Sequence, residues 1–163
     1  MTKEEIDAIV VHCSATPEGK FFDMRDINRM HVQRGFDCIG YNYVVLLDGT
    51  VQIGRSLTIP GAHCNTKGFS GRSYNRHSIG ICYVGGVDKQ GKPKDTRTPE
   101  QKVALRELIA GLILEYPNIK EVLGHRDTSP DLDGDKIVEP FEWIKACPCF
   151  DAKTEYEDLL SKK

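Results

Sequence analysis

The spacing of apolar and polar positions changes several times along the chain, and each change marks an element. Ile6 to Val11 is apolar on both alternating faces, the pattern of a central strand covered from both sides. It runs directly into His12-Cys13-Ser14. Met24, Ile27, Met30 and His31 then fall at helical spacing, and with Asp23 as cap and Gly35 as stop they predict a helix to about Arg34. Two apolar runs, Tyr41 to Leu47 and Thr50 to Ile53, flank Asp48-Gly49, a two-residue hairpin signal. From about Thr58 to Arg76 the periodicity disappears among Gly, Ser, Asn and Lys, which predicts a long loop of the kind that carries function or moves.

Ser78 to Val84 reads as a second buried strand, closed by Gly85-Gly86. Thr98-Pro99-Glu100-Gln101 has the form of a capping box with Pro at the first helical position, and Leu105, Leu108, Ile109 and Leu112 continue the helix. Val122-Leu123 predicts a short strand before Gly124-His125, Glu139 to Ile144 a short helix, and Asp151 the cap of a last one. Strands and helices intermix without repeat or linker. That predicts one α/β layer structure, a single domain over residues 1–163.

Composition narrows the function classes. With 39% hydrophobic and 28% charged residues the chain is an ordinary globular one. A net charge of −2 offers no global basic field, which argues against nucleic acid as a partner. No run approaches the ~20 apolar residues that span a bilayer, so no membrane insertion is expected. The charged stretch Met1 to Asp7 lacks a signal peptide's apolar region, which predicts a chain that waits in the cytoplasm until released. Six cysteines in a chain of this length are expected to be reduced.

Three segments carry candidate chemistry: His12-Cys13-Ser14-Ala15-Thr16, Gly124-His125-Arg126-Asp127 and Lys145-Ala146-Cys147-Pro148. Each puts a potential ligand at the end of a strand or in an adjoining loop, where open α/β folds place their sites. Two imidazoles and a thiolate suit Zn²⁺, and three protein ligands leave a fourth position for water. The plainer reading keeps His12 and His125 as satisfied polar residues near a core and Cys147 as an inert thiol. Pro148 favours extended geometry at Cys147, which sends Lys145 and Cys147 to one side. His31 and His77 read as structural or solvent-facing, and Cys13 should point away from the face that His12 uses.

Taken with Gly40-Tyr41-Asn42-Tyr43, Asp48-Gly49-Thr50, Gly61-Ala62-His63 and Ser78-Ile79-Gly80-Ile81-Cys82, the first and third of these segments appear in one order from about Ile6 to Asp151. In this the chain resembles the N-acetylmuramoyl-L-alanine amidase family, which includes phage amidases and peptidoglycan recognition proteins. The resemblance implies a central mixed β-sheet flanked by helices. It also implies zinc held by His12, His125 and Cys147, catalytic roles for Tyr41 and Lys145, and a place near the substrate for His63. The substrate would be peptidoglycan or a muropeptide, and the expected state is a monomer. Two other readings compete: a peptidoglycan-binding module without catalysis, and a hydrolase with Cys147 as nucleophile and His125 as base.

The segment between His125 and Cys147 holds one more pattern. Asp131, Asp133, Asp135, Glu139 and Glu142 occupy positions 1, 3, 5, 9 and 12 of an EF-hand-like loop, which makes Asp131, Asp133, Asp135 and Glu142 candidate Ca²⁺ ligands; the plainer reading is a solvated acidic loop that caps the next helix. Lys136 departs from that pattern, standing where the loop needs glycine.

Overall fold

The computed structural model describes residues 1–161. Its centre is a five-stranded sheet in the order β4-β3-β5-β1-β7, with β1 Ala8–Cys13, β3 Tyr43–Val45, β4 Val51–Ile53, β5 Ser78–Tyr83 and β7 Glu121–Gly124. The pairings β3–β5, β5–β1 and β1–β7 are parallel and β3–β4 is antiparallel, so the sheet is mixed as expected. A separate parallel pair, β2 Thr16–Pro17 with β6 Gly86–Val87, extends the ends of β1 and β5. Every residue of β1 and β5 is buried, because both faces of the sheet are covered.

Alternation along β1 divides its side chains between two cores. Ile9, Val11 and Cys13 join Leu105, Ile109 and Leu112 of helix α2 (Pro99–Glu115) and Tyr156 of helix α3 (Ala152–Leu160). Ala8 and Val10 face the other way, against Cys64 and Tyr74 of the long loop. Helix α1 (Met24–Gln33) supplies Ile27 to a third cluster with Ile39, Val44 and Val84. The result is three layers, with α2 and α3 on one face and α1 with the loop on the other.

The predicted caps form. Asp23 accepts from the Asp26 amide while the Asp26 carboxylate accepts from the Asp23 amide, and Thr98 and Gln101 do the same at α2. Asp151 caps α3 by accepting from Thr154 N–H. Two expectations need correction. The hairpin loop has three residues, not two: Leu46 and Thr50 still pair, and Gly49 sits at φ +87° after a turn closed from its N–H to Leu46 O. This is the turn-plus-bulge connection that needs a left-handed glycine. The predicted helix from Glu139 to Ile144 is only a 3₁₀ turn, Pro140–Glu142.

Two buried polar side chains tie the layers together. Gln101 is fully buried; its amide donates to Val84 O at 2.9 Å and Val45 O at 3.2 Å, joining α2 to strand ends on the sheet. Arg97 donates to Asp95 and to Glu155 of α3, and its guanidinium lies 3.3 Å from the centre of the Phe150 ring. Phe150 follows the Cys147-Pro148 segment by two residues.

Replacing Gln101 by Met keeps the length but orphans those carbonyl contacts, and should cost about 2 kcal/mol in urea denaturation. Thr98→Ala, which removes the cap and the hydroxyl's bond to Leu47 O at 2.6 Å, should cost about 1–2 kcal/mol. An unchanged midpoint for Gln101→Met would mean that its bonds to the Val45 and Val84 carbonyls and to Thr98 N–H add nothing to stability.

Candidate active site

The carboxyl ends of the three central parallel strands converge on one cleft. His12 is the fifth residue of β1 and lies opposite Cys82 of β5. On the other side Val11 pairs with Gly124, so His125, the next residue along, rises beside His12 with the ring centres 4.7 Å apart. Cys147 arrives from a distant segment pinned over these ends. Arg126 N–H donates to Cys147 O at 2.8 Å, and Tyr83 O–H donates to Pro148 O at 2.6 Å. The thiol accepts the Cys13 N–H at 3.2 Å and stands 3.9 Å from His12 Nδ1. One ligand atom from each of His12, His125 and Cys147 falls within 4.8 Å of the others.

That spread fits a tetrahedral zinc ion. Bonds of roughly 2.0 Å to nitrogen and 2.3 Å to sulfur put neighbouring ligand atoms about 3.5 Å apart. The donor set of two imidazoles and one thiolate is also the right chemistry for that metal.

Burial keeps His12 neutral, as a ligand must be. His12, 1% exposed, has its pKa driven well below the ordinary value by desolvation, helped by the neighbouring His125, His63 and Lys145 charges. His63 is pushed down to about 3, again chiefly by desolvation. Its Nδ1 is 2.9 Å from His12 Nε2, which leaves His12 Nδ1 as the atom facing Cys147. At Cys64 burial opposes the thiolate, but contacts with His125, Thr128 and Thr66 outweigh it and lower the pKa.

A cavity of about 170 Å³ opens over this group, and Tyr41, Lys145, His31, Arg34 and Phe36 are among its walls. Lys145 and Cys147 thus share one cavity, as their spacing predicts. Tyr41 lies just before β3 rather than within it, with its ring 5.0 Å from that of His12. Desolvation raises its pKa well above the ordinary value, so the hydroxyl keeps its proton. Among the described residues no carboxylate lines the cavity, whereas Arg34 and Lys145 do, although the chain as a whole carries −2. A larger depression of about 670 Å³, with mixed charges, shares no residue with this cleft and gathers no comparable ligand set.

The remaining candidates fall outside the cleft or serve its walls. His31 accepts the Gly40 N–H on Nδ1 at 2.9 Å and lines the cavity while staying 6% exposed. His77 is buried against Asp7 at 2.6 Å and is structural. Cys13 faces the α2 side, as parity requires, and Cys149 donates to Gly86 O. In the acidic loop, Asp131, Asp133 and Glu142 draw together, as do Asp133, Asp135 and Glu139. Their carboxylates accept the loop's own N–H groups: Asp131 from Gly134 and Lys136, Asp135 from Ile137, and Glu142 from Leu132 and Glu139. Lys136 adopts φ +68° where glycine is the usual choice. Sequence reasoning missed Cys64, Asn75, Arg34 and Phe36, whose parts arise only from tertiary contact.

Comparison with known proteins identifies the family and the fold. The family model described as N-acetylmuramoyl-L-alanine amidase matches residues 2–139, which include His12, Tyr41, His63 and His125. The chain is 35% identical over 155 residues to the endolysin of Escherichia phage T7, covering 95% of this chain and 88% of that one. N-acetylmuramoyl-L-alanine amidase LysC from Clostridium intestinale URNW shares the fold, with a TM-score of 0.66 and 23% identity over 98% of this chain and 86% of that one. A Drosophila PGRP-LB mutant in complex with tracheal cytotoxin also shares it, with a TM-score of 0.64 and 23% identity over 93% of this chain and 80% of that one. Fold, cleft and sequence match agree: the chain belongs to the N-acetylmuramoyl-L-alanine amidase family and is an amidase acting on peptidoglycan.

Proposed function

We propose that this amidase is zinc-dependent and hydrolyses the amide between N-acetylmuramic acid and the L-alanine of the stem peptide. The observation that carries the reading is the convergence of His12, His125 and Cys147 within 4.8 Å at the carboxyl edge of the sheet. Those three residues would hold the metal. When bound, zinc supplies Lewis-acid chemistry and brings the pKa of a water toward ~7.

The chain's own residues supply the rest. Tyr41, protonated throughout the working pH range, donates its O–H to the oxygen on which charge develops during attack on the amide. Lys145 adds a cation at the exposed rim of the same cavity. The departing amine takes a proton, which the Tyr41 hydroxyl is placed to relay. With no carboxylate in its walls, the cleft suits a peptide that ends in one. The protein acts at the cell wall as a monomer, with His63 forming part of the cleft wall.

Two alternatives lose ground on the same geometry. A binding module has no use for a complete metal-ligand set beside Tyr41 and Lys145. A cysteine nucleophile needs one histidine as base, and both His12 and His125 face the thiol.

Purified protein should contain one zinc per chain, and chelation should stop release of stem peptides beginning with alanine. Cys147→Ala and His12→Ala should lose both zinc and cleavage; cleavage by metal-free Cys147→Ala would end the proposal. Tyr41→Phe and Lys145→Ala should stay folded and zinc-loaded, with kcat lowered about 10²-fold or more for Tyr41→Phe. Unchanged turnover would remove that residue from the chemistry.

The metal-free protein should also show a pH signature. Unfolded histidines titrate near their ordinary value of 6.5, whereas folded His63 resists protonation down to about 3. Between these values the unfolded chain binds the extra proton, so stability is complete above pH 6.5 and falls on acidification. The slope should reach about 1.4 kcal/mol per pH unit for one such group. Urea midpoints that are equal at pH 7.5 and pH 5.5 would contradict it.

A further inference from the structure

His63 stands behind the ligand set, not within it. Its ring is 8% exposed and packs where two glycines leave room: a Cβ at Gly80 or at Gly61 would come within 2.6 Å of it. Gly80 is the β5 partner of Val10, two residues before His12 on the same face of the sheet, so the missing side chain opens a slot directly beside the ligand. The backbone is fixed as well. Asn75 Oδ1 accepts the N–H groups of both His63 and Cys64 at 2.8 Å, and Gly61 N–H donates to Asn75 O.

The contact that results has a tautomeric consequence. His12 Nε2 and His63 Nδ1 are 2.9 Å apart, and one proton must lie between them. If His63 donates, neutral His12 carries its own proton on Nδ1, the atom 3.9 Å from Cys147 Sγ, and has no lone pair for a metal there. If His12 donates, Nδ1 is free and His63 holds its proton on Nε2. A ligating imidazole usually hands its other N–H to an acceptor in this way, which fixes the ring and its basicity.

We infer that His63 is a positioning residue: its Nδ1 accepts the His12 Nε2–H and thereby holds His12 in the tautomer that presents Nδ1 to the metal. The inference rests on the zinc reading of the site and assigns His63 a task other than contact with substrate.

The test is zinc affinity, measured by chelator competition on the full chain with His63→Leu and His63→Asn. Asn places an oxygen acceptor near the Nδ1 position but fills the slot poorly, whereas Leu fills the slot and accepts nothing. The inference expects Leu to weaken zinc binding about 10- to 100-fold and Asn to recover most of that loss. A packing role predicts the reverse order, and zinc binding by Leu equal to wild type would overturn the inference outright. A second readout needs no variant: nitrogen-15 spectra of the zinc-loaded wild type should show His12 protonated on Nε2, and an unprotonated Nε2 would overturn it. Wild-type protein that takes up no zinc would instead overturn the metal reading on which it stands.

Discussion

The parity of one strand governs this molecule. β1 is buried along its whole length, so its side chains have no solvent to choose and must alternate between two packed cores. Parallel pairing with β5 and β7 brings all three carboxyl ends to one edge, and parity then decides which residue enters the cleft there. His12 takes the loop side and Cys13 the helix side. A slip of one residue would exchange them, presenting a thiol where the imidazole belongs and burying a polar ring among Ile9, Val11 and Leu105. The hydrophobic pattern of residues 6–11 therefore also specifies which side chain joins His125 and Cys147 in the cleft.

The long segment between β4 and β5 is the second determinant. It has little regular structure, yet it covers one face of the sheet, carries His63 to the back of His12 and sets Cys64 against Thr66 and Thr128. Asn75 makes this possible by giving two adjacent N–H groups a single acceptor. A segment whose regular structure is one 3₁₀ turn, Tyr74–Arg76, thus acquires a defined shape through side-chain to backbone bonds, and its buried polar groups mostly find partners.

Much of this was legible in sequence, for identifiable reasons. The two central strands announce themselves because burial on both faces leaves continuous apolar runs, and the helices because Asp23, Thr98 and Asp151 are caps placed before periodic segments. The hairpin was found but its loop miscounted, since Asp48-Gly49 serves equally in a three-residue connection whose glycine takes the left-handed position. The helix expected at Glu139 to Ile144 shrank to a turn. The ligands themselves, separated by up to 135 residues, became readable through resemblance and not through spacing. Cys64 and Asn75 left no trace at all, because a residue that supports a ligand from behind obeys no local period.

Arg97 shows how far the cleft's dependence reaches. This buried guanidinium grips Glu155 of the last helix and sits over the Phe150 ring, next to the turn that carries Cys147 and Pro148. The final helix therefore works as a latch for the ligand-bearing turn, although none of its own side chains enters the cleft. Sequence change on that helix is filtered by a demand from elsewhere: substitutions that keep it helical and soluble but loosen its hold on Arg97 would let the thiol drift from the two histidines, from a site that looks like ordinary surface.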